Sequence, residues 1–153
     1  MPRLNPRALA SIGGRPIHAM LTAIPTGCFV GTFITDLAYW KTAAIMWADM
    51  SAWLLTVGLV VSILTVLSGL VDVLGDRRIR ALRPAGIHGL GAALVVILSI
   101  LNAFVHSRDA WTSVVPTGLI LSGLVVLILV VTNWTGRTMV YRHGVGVRPE
   151  DDQ

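Results

Sequence analysis

Four long apolar stretches constrain the fold of this chain more than any other feature of its sequence. They run over about residues 17–40, 53–74, 87–105 and 114–134. A helix that crosses the hydrocarbon core of a bilayer needs about 20 mostly apolar residues. Because backbone groups in lipid must be hydrogen-bonded internally, only helices and closed barrels can span a membrane. The stretches are too long and too continuously apolar for alternating barrel strands, so the sequence predicts four transmembrane helices.

Composition and loop length support an all-α integral membrane fold. Hydrophobic residues make up 54% of the chain and charged residues only 13%, whereas soluble domains carry about 25% charged residues. The connections between the stretches are short, which predicts an up-down-up-down four-helix bundle. The net charge is +4, but the basic residues flank the apolar stretches, so we exclude nucleic acid as a partner and expect the lipid bilayer instead.

The Lys and Arg residues are distributed unevenly between the two sides of the predicted bundle. Lys41 and Arg108 fall on one side, and the other ten of the 12 fall on the side that holds both termini. Since cytoplasmic loops are enriched in Lys and Arg, we expect a bacterial inner-membrane protein with cytoplasmic tails over residues 1–16 and 136–153 and a transmembrane domain over residues 17–135. The ten residues are Arg3, Arg7, Arg15, Arg77, Arg78, Arg80, Arg83, Arg137, Arg142 and Arg148. An aromatic belt is predicted at the opposite face, formed by Trp40, Trp47, Trp53 and Trp111.

The two halves of the chain resemble each other at a shift of 70 residues. Ile17 and His18 then fall on Ile87 and His88, and Asp36 falls on His106. Both halves are predicted to be two-helix hairpins with the same orientation. This pattern is typical of a parallel tandem repeat, and chance similarity between apolar helices is the alternative.

Ionisable and amide side chains within the spans are candidates for function, because they are costly in lipid. Sorted by depth, one polar residue from each helix falls at the cytoplasmic face. These four are His18, Asp72, His88 and Asn133, and we expect them to converge on the bundle axis. A second, looser group lies near the opposite face and consists of Asp36, Asn102 and His106, of which His106 is interpreted as an interfacial residue.

The two equivalent histidines have several interpretations. Imidazole is an axial ligand of haem iron, so His18 and His88 are candidate axial ligands of one b-type haem, with Asp72 orienting a histidine. Arg15, Arg77, Arg83 and Arg142 are candidate partners of the haem propionates, and Ala19, Gly89, Gly91 and Ala92 could form a flat slot for the porphyrin. The alternatives are a transition-metal site with Asp72, a proton or substrate path, and plain interfacial histidines.

Three segments of the sequence resemble a known family. They are "HAMLTAIPTGCFVGTFITDLAYW", "GIHGLGAALVVILSILNAFVHSRDAW" and "NWTGRTMVYRHGVGV". They resemble the bacterial four-helix membrane proteins named domain of unknown function 2231, over about residues 16–147. The resemblance implies a link to membrane electron transfer, because some members are associated with a Rieske-type iron–sulfur domain. Cys28 is the single cysteine of this chain, so the chain does not carry the ligands of such a cluster.

Two classes of function follow from the sequence. The first is a redox protein, as a homodimer or with a membrane redox partner. It is either a small carrier that binds one b-type haem between His18 and His88 or a membrane anchor for an electron-transfer partner, and catalysis is not expected of it. The second is a non-redox scaffold or small transporter in which the polar residues only fix helix packing.

The glycines after Tyr141, Arg142 and His143 predict a turn that folds the C-terminal tail back over the cytoplasmic end of the bundle. The alternative is a tail that lies on lipid headgroups.

Overall fold

The fold is described by a computed structural model, which covers residues 5–108 and 114–147. Arg3, Trp111 and Arg148 therefore lie outside the described residues, as does the end of the C-terminal tail. A short antiparallel hairpin precedes the helices, with Ser11 paired to Pro16 and Ile12 to Arg15. Its strands are β1 Ser11–Ile12 and β2 Arg15–Pro16. The helices are α1 Ile17–Leu21, α2 Ala23–Thr42, α3 Ile45–Gly75, α4 Arg77–Arg80, α5 Arg83–His106 and α6 Leu119–His143, and a distorted turn, Val114–Gly118, precedes α6.

The prediction of an all-α membrane bundle is confirmed. Four helical segments are long and apolar enough to cross a membrane, namely Ile17–Thr42, Ile45–Gly75, Arg83–His106 and Val114–His143. Sequence neighbours pack most extensively, α2 against α3 and α5 against α6, and the contacts of α2 with α6 and of α3 with α5 close the ring. This order leaves α2 diagonally opposite α5, as up-down-up-down topology requires.

The helices extend beyond the predicted apolar stretches at two places. The second begins at Ile45 rather than near residue 53, and the last ends at His143 rather than near residue 134. Hydropathy marks where a helix is apolar, but the backbone remains helical through polar residues with good helix propensity, such as arginine. Gly144 follows the last helix, and its φ of 64° is left-handed and suits a glycine after a helix C-terminus.

Pro25 explains the break between α1 and α2. The ring of a helical proline collides with the carbonyl four residues earlier, which here belongs to Leu21, the last residue of α1. The chain then continues through Thr22, whose backbone N–H still donates to the carbonyl of His18. The helix is therefore interrupted at Thr22, and His18 lies on the short first segment.

Both ends of the described part of the chain lie at one end of the bundle, which we call the terminal end. The N–H of Gly146 donates to the carbonyl of Pro6 at 2.9 Å, and the side-chain amide of Asn5 donates to the carbonyl of Val147 at 3.1 Å. The opposite end, which holds the α2–α3 connection, is the distal end. The main apolar core lies between the two ends and contains Phe29, Leu55, Val95, Val125 and Leu129.

Candidate functional site

The two histidines at the terminal end face each other across the diagonal of the bundle. The ring centroids of His18 on α1 and His88 on α5 are 5.7 Å apart, and the ring planes are inclined at 78°. Both side chains are half-buried. The convergence of these two residues, predicted from their matching positions in the sequence, is therefore present in the structure.

Each histidine is held by a carbonyl of a neighbouring helix. His18 Nδ1 lies 2.9 Å from the carbonyl oxygen of Thr65 on α3, and His88 Nδ1 lies 2.9 Å from that of Thr132 on α6. Because a carbonyl oxygen only accepts, each Nδ1 carries a hydrogen and donates it. Each neutral imidazole therefore keeps its lone pair on Nε2.

Glycines on the same two helices allow the rings to approach the helix backbones. A Cβ added at Gly69 of α3 would lie 2.7 Å from His18 Nδ1, and one added at Gly136 of α6 would lie 3.1 Å from His88 Cε1. Side chains at these positions would push the rings away from the carbonyls to which they donate. The two histidine environments thus repeat each other, as a two-helix tandem repeat predicts.

Asp72 does not contact either histidine, contrary to the expectation that it orients one of them. Its Oδ1 accepts the backbone N–H of Ala10 at 2.8 Å. One turn later, Asp76 Oδ2 accepts the backbone N–H of Arg7 at 3.0 Å. The N-terminal segment folds back over the end of α3 and offers unpaired amide donors there, whereas the histidines already have carbonyl partners. Among the described residues, no hydrogen bond joins the half-buried Asn133 to a histidine.

Asp76 stays ionised under ordinary conditions. Hydrogen bonds from the Arg78 side chain and backbone lower the pKa of Asp76 to about 2. Because this pKa lies below that of an unfolded aspartate, the contribution of Asp76 to stability is complete above about pH 4 and is lost as the pH falls through about 2. The attachment of the N-terminal segment to Asp76 is therefore in place at neutral pH.

The arginines proposed for the propionates are free of acidic partners, but part of the proposed slot is filled. All four are exposed and lie at the terminal end, and in the described part of the chain none is in a salt bridge. They are Arg15, Arg77, Arg83 and Arg142. A Cβ at Gly91 would collide with the Thr132 hydroxyl, whereas one at Gly89 would meet no atom within 4 Å. Gly91 therefore serves close packing of α5 on α6, and any slot is limited to the interface between the two hairpins.

The C-terminal tail turns back as its glycines predict. Gly144 and Gly146 have φ values of 64° and 74°, and the tail then contacts the N-terminal segment rather than the histidines. Tyr141, Arg142 and His143 are exposed. They do not cap the histidine pair directly.

A second polar site at the distal end was underestimated from the sequence. Asp36 is completely buried, and its Oδ1 lies 3.0 Å from Nε2 of His106, whose side chain is only 2% exposed. His106 is therefore not the interfacial residue that the sequence predicts. It turns inward because a buried carboxylate needs donors, and the shift of 70 residues already placed these two residues at equivalent positions.

Hydroxyl groups complete the surroundings of Asp36. Ser51 Oγ of α3 donates to Oδ1 at 2.6 Å, and Ser122 Oγ of α6 donates to Oδ2 at 2.7 Å. Thr35 Oγ1 lies 2.6 Å from Ser51 Oγ. All four helices of the bundle thus contribute to one buried polar cluster, and the small hydroxyl side chains gave no signal of this in a hydropathy pattern.

A three-ligand metal site is not assembled at either end. In residues 5–108 and 114–147, no group of three or more His, Cys, Asp or Glu side chains is placed to hold a metal ion. The alternative in which His18, His88 and Asp72 bind one transition metal does not fit, because the carboxylate of Asp72 is engaged by Ala10.

A comparison with protein families finds a match over nearly the whole chain. The family model described as "Predicted membrane protein (DUF2231)" matches residues 14–149. No curated protein and no solved structure gives a significant match.

Proposed function

The chain belongs to the DUF2231 family of predicted membrane proteins, and we propose that it is a membrane electron-transfer protein that binds one b-type haem between His18 and His88. The observation that carries this proposal is the approach of the two imidazoles to 5.7 Å across the interface between the two hairpins. His18 and His88 would hold the haem iron through their imidazole nitrogens, one ring from each hairpin.

The hydrogen bonds of both histidines support this proposal. An iron-ligating histidine donates its other ring N–H to a carbonyl or carboxylate, which fixes the ring and raises its basicity. His18 and His88 both do so through Nδ1, and Nε2 remains for a ligand. A bound haem would supply one-electron chemistry, while the exposed arginines Arg15, Arg77, Arg83 and Arg142 would hold its propionates at the terminal end.

A packing role for the same histidines is the second candidate. Each ring rests on a helix at a glycine and already has one hydrogen bond, and Gly91 is closed by Thr132. In this case the histidines join α1 to α3 and α5 to α6, and the chain is a scaffold without a cofactor. The absorption spectrum separates the two candidates.

The test is expression with haem supply, followed by visible spectroscopy of the purified protein. We expect one b-type haem with the sharp reduced bands of two axial imidazoles. His18→Ala and His88→Ala should each abolish the low-spin spectrum, because each removes one axial nitrogen. His143→Ala is the matched control: His143 lies at the same end but is exposed, so this variant should keep the wild-type spectrum.

Two outcomes would contradict the haem proposal. One is a colourless preparation from haem-replete cells, and the other is a wild-type spectrum in both His18→Ala and His88→Ala.

Gly69→Ala provides a test that removes no ligand, since its methyl group would displace His18 from Thr65. We expect this variant to lose low-spin character, whereas Gly89→Ala, which meets no atom within 4 Å, should not.

We also propose that the terminal end faces the cytoplasm of a bacterial inner membrane. Eight of the ten Lys and Arg residues in the part of the chain that the structure describes belong to the terminal end, and such residues concentrate on the cytoplasmic side. A reporter that is active only in the periplasm should be silent when fused after Gln153 and active when inserted between Ala43 and Ala44. The reverse pattern would overturn the orientation. A haem at the terminal end would then exchange electrons with a partner near the cytoplasmic face.

A further inference from the structure

The hydrogen bonds of His106 fix the number of protons that it shares with Asp36. His106 Nδ1 lies 3.0 Å from the carbonyl oxygen of Asn102, which only accepts, so Nδ1 carries a hydrogen. His106 Nε2 lies 3.0 Å from Asp36 Oδ1. A bare nitrogen and an ionised carboxylate are both acceptors and would repel each other at this distance, so one proton must lie between them.

We propose that Asp36 and His106 form a proton-binding centre inside the membrane. The proton lies between Nε2 and Oδ1. With the proton on Nε2 the pair is an imidazolium and a carboxylate, and with the proton on Oδ1 it is an imidazole and a carboxylic acid. Both forms have no net charge, which is how a buried carboxylate becomes tolerable in lipid.

Within residues 5–108 and 114–147, the surroundings of the pair provide hydrogen bonds but no compensating charge. The groups that face Asp36 are the hydroxyls of Ser51 on α3 and Ser122 on α6, with Thr35 of α2 behind Ser51. Other ionisable residues nearby in sequence on these helices are Lys41, Asp49 and Arg108, which are exposed, and Tyr39, which is buried. In the part of the chain that the structure describes, His106 is thus the group whose protonation balances Asp36.

Charge disfavours a metal cation beside Asp36. The carboxylate is already balanced by the shared proton, and its oxygens accept from His106, Ser51 and Ser122. A cation would therefore find neutral oxygen ligands and no free negative charge.

The test is nuclear magnetic resonance of the full chain in lipid nanodiscs with isotope-labelled histidine. At neutral pH, we expect the His106 ring to carry a hydrogen on Nδ1 and a strongly hydrogen-bonded proton between Nε2 and Asp36. The loss of a signal in His106→Gln assigns it. Asp36→Asn should remove the shared proton, because an amide donates its own hydrogen to a bare Nε2, and Asp49→Asn should retain the proton.

The wild-type spectrum alone can overturn the proton centre, even where a variant fails to fold. A His106 ring with a bare Nε2 beside an ionised Asp36 would do so. Loss of the shared proton when sodium replaces choline at constant ionic strength would also do so, since it would identify a cation site. None of these measurements involves His18 or His88, so the proposal can fail or survive independently of the haem.

Discussion

Replacing Asp36 with leucine is expected to lower the free energy of unfolding by about 3–5 kcal/mol, the range found when one partner of a buried ion pair is removed. The substitution leaves His106 without its acceptor and removes the acceptor of Ser51 and Ser122. Reversible unfolding in mixed micelles measures the change. Asp49→Leu is the matched control on α3, where the carboxylate is exposed, and it should change the stability by much less.

The double variant Asp36→Leu with His106→Leu separates a specific pair from a generally fragile region. Replacing both members of a buried pair by apolar residues is often nearly neutral. We therefore expect the double variant to be more stable than either single variant. If the two losses simply add, the residues are not coupled and the interpretation of the distal cluster as a pair fails.

The overall fold could be predicted from the sequence because lipid allows few solutions. Four apolar stretches with short connections leave little choice besides an antiparallel bundle, and the structure agrees. Helix ends were less predictable. The α3 helix starts at Ile45, well before the apolar stretch, because helical backbone continues through polar residues such as Asp49 and Ser51.

The sequence predicts the approach of one histidine-containing pair but not that of the other. His18 and His88 share a local pattern, so their approach across the bundle was predicted. Asp36 and His106 are different residue types. Their pairing follows from their equivalent positions in the two halves and not from sequence identity between the halves. Pairs of this kind are found only when equivalent positions are compared by depth and charge, since identity between the halves does not reveal them.

The hydrogen-bond partner of Asp72 belongs to the N-terminal segment, which has no apolar pattern. Its carboxylate lies at the right depth to reach a histidine, but the N-terminal segment brings the N–H of Ala10 to it at 2.8 Å. Which backbone N–H group reaches the carboxylate depends on how the polar tail folds back. The sequence signals the tail itself, through its arginines, but not the hydrogen bonds that the tail forms.

Gly58→Ala is expected to destabilise the bundle by about 1–3 kcal/mol, the usual range for overpacking a well-packed interior. A Cβ at Gly58 would lie 2.8 Å from Phe29 Cε1 and 3.0 Å from Cys28 Cβ. The Phe29 ring is only 2% exposed and belongs to the main apolar core, so it has little room to move away. The helices α2 and α3 would have to separate at this contact.

Gly27→Ala is the matched control, because it adds the same methyl group to α2 at an exposed position where a Cβ meets no atom within 4 Å. Alanine has the higher helix propensity by about 1 kcal/mol, so this variant should be neutral or slightly more stable in the same unfolding measurement. The difference between the two variants isolates the steric effect from the change in propensity. Equal stabilities would show that α2 and α3 do not approach each other at Gly58 as closely as the structure has it. A destabilised Gly58→Ala beside an unchanged Gly27→Ala would instead establish that the core around Phe29 requires a glycine on the facing helix.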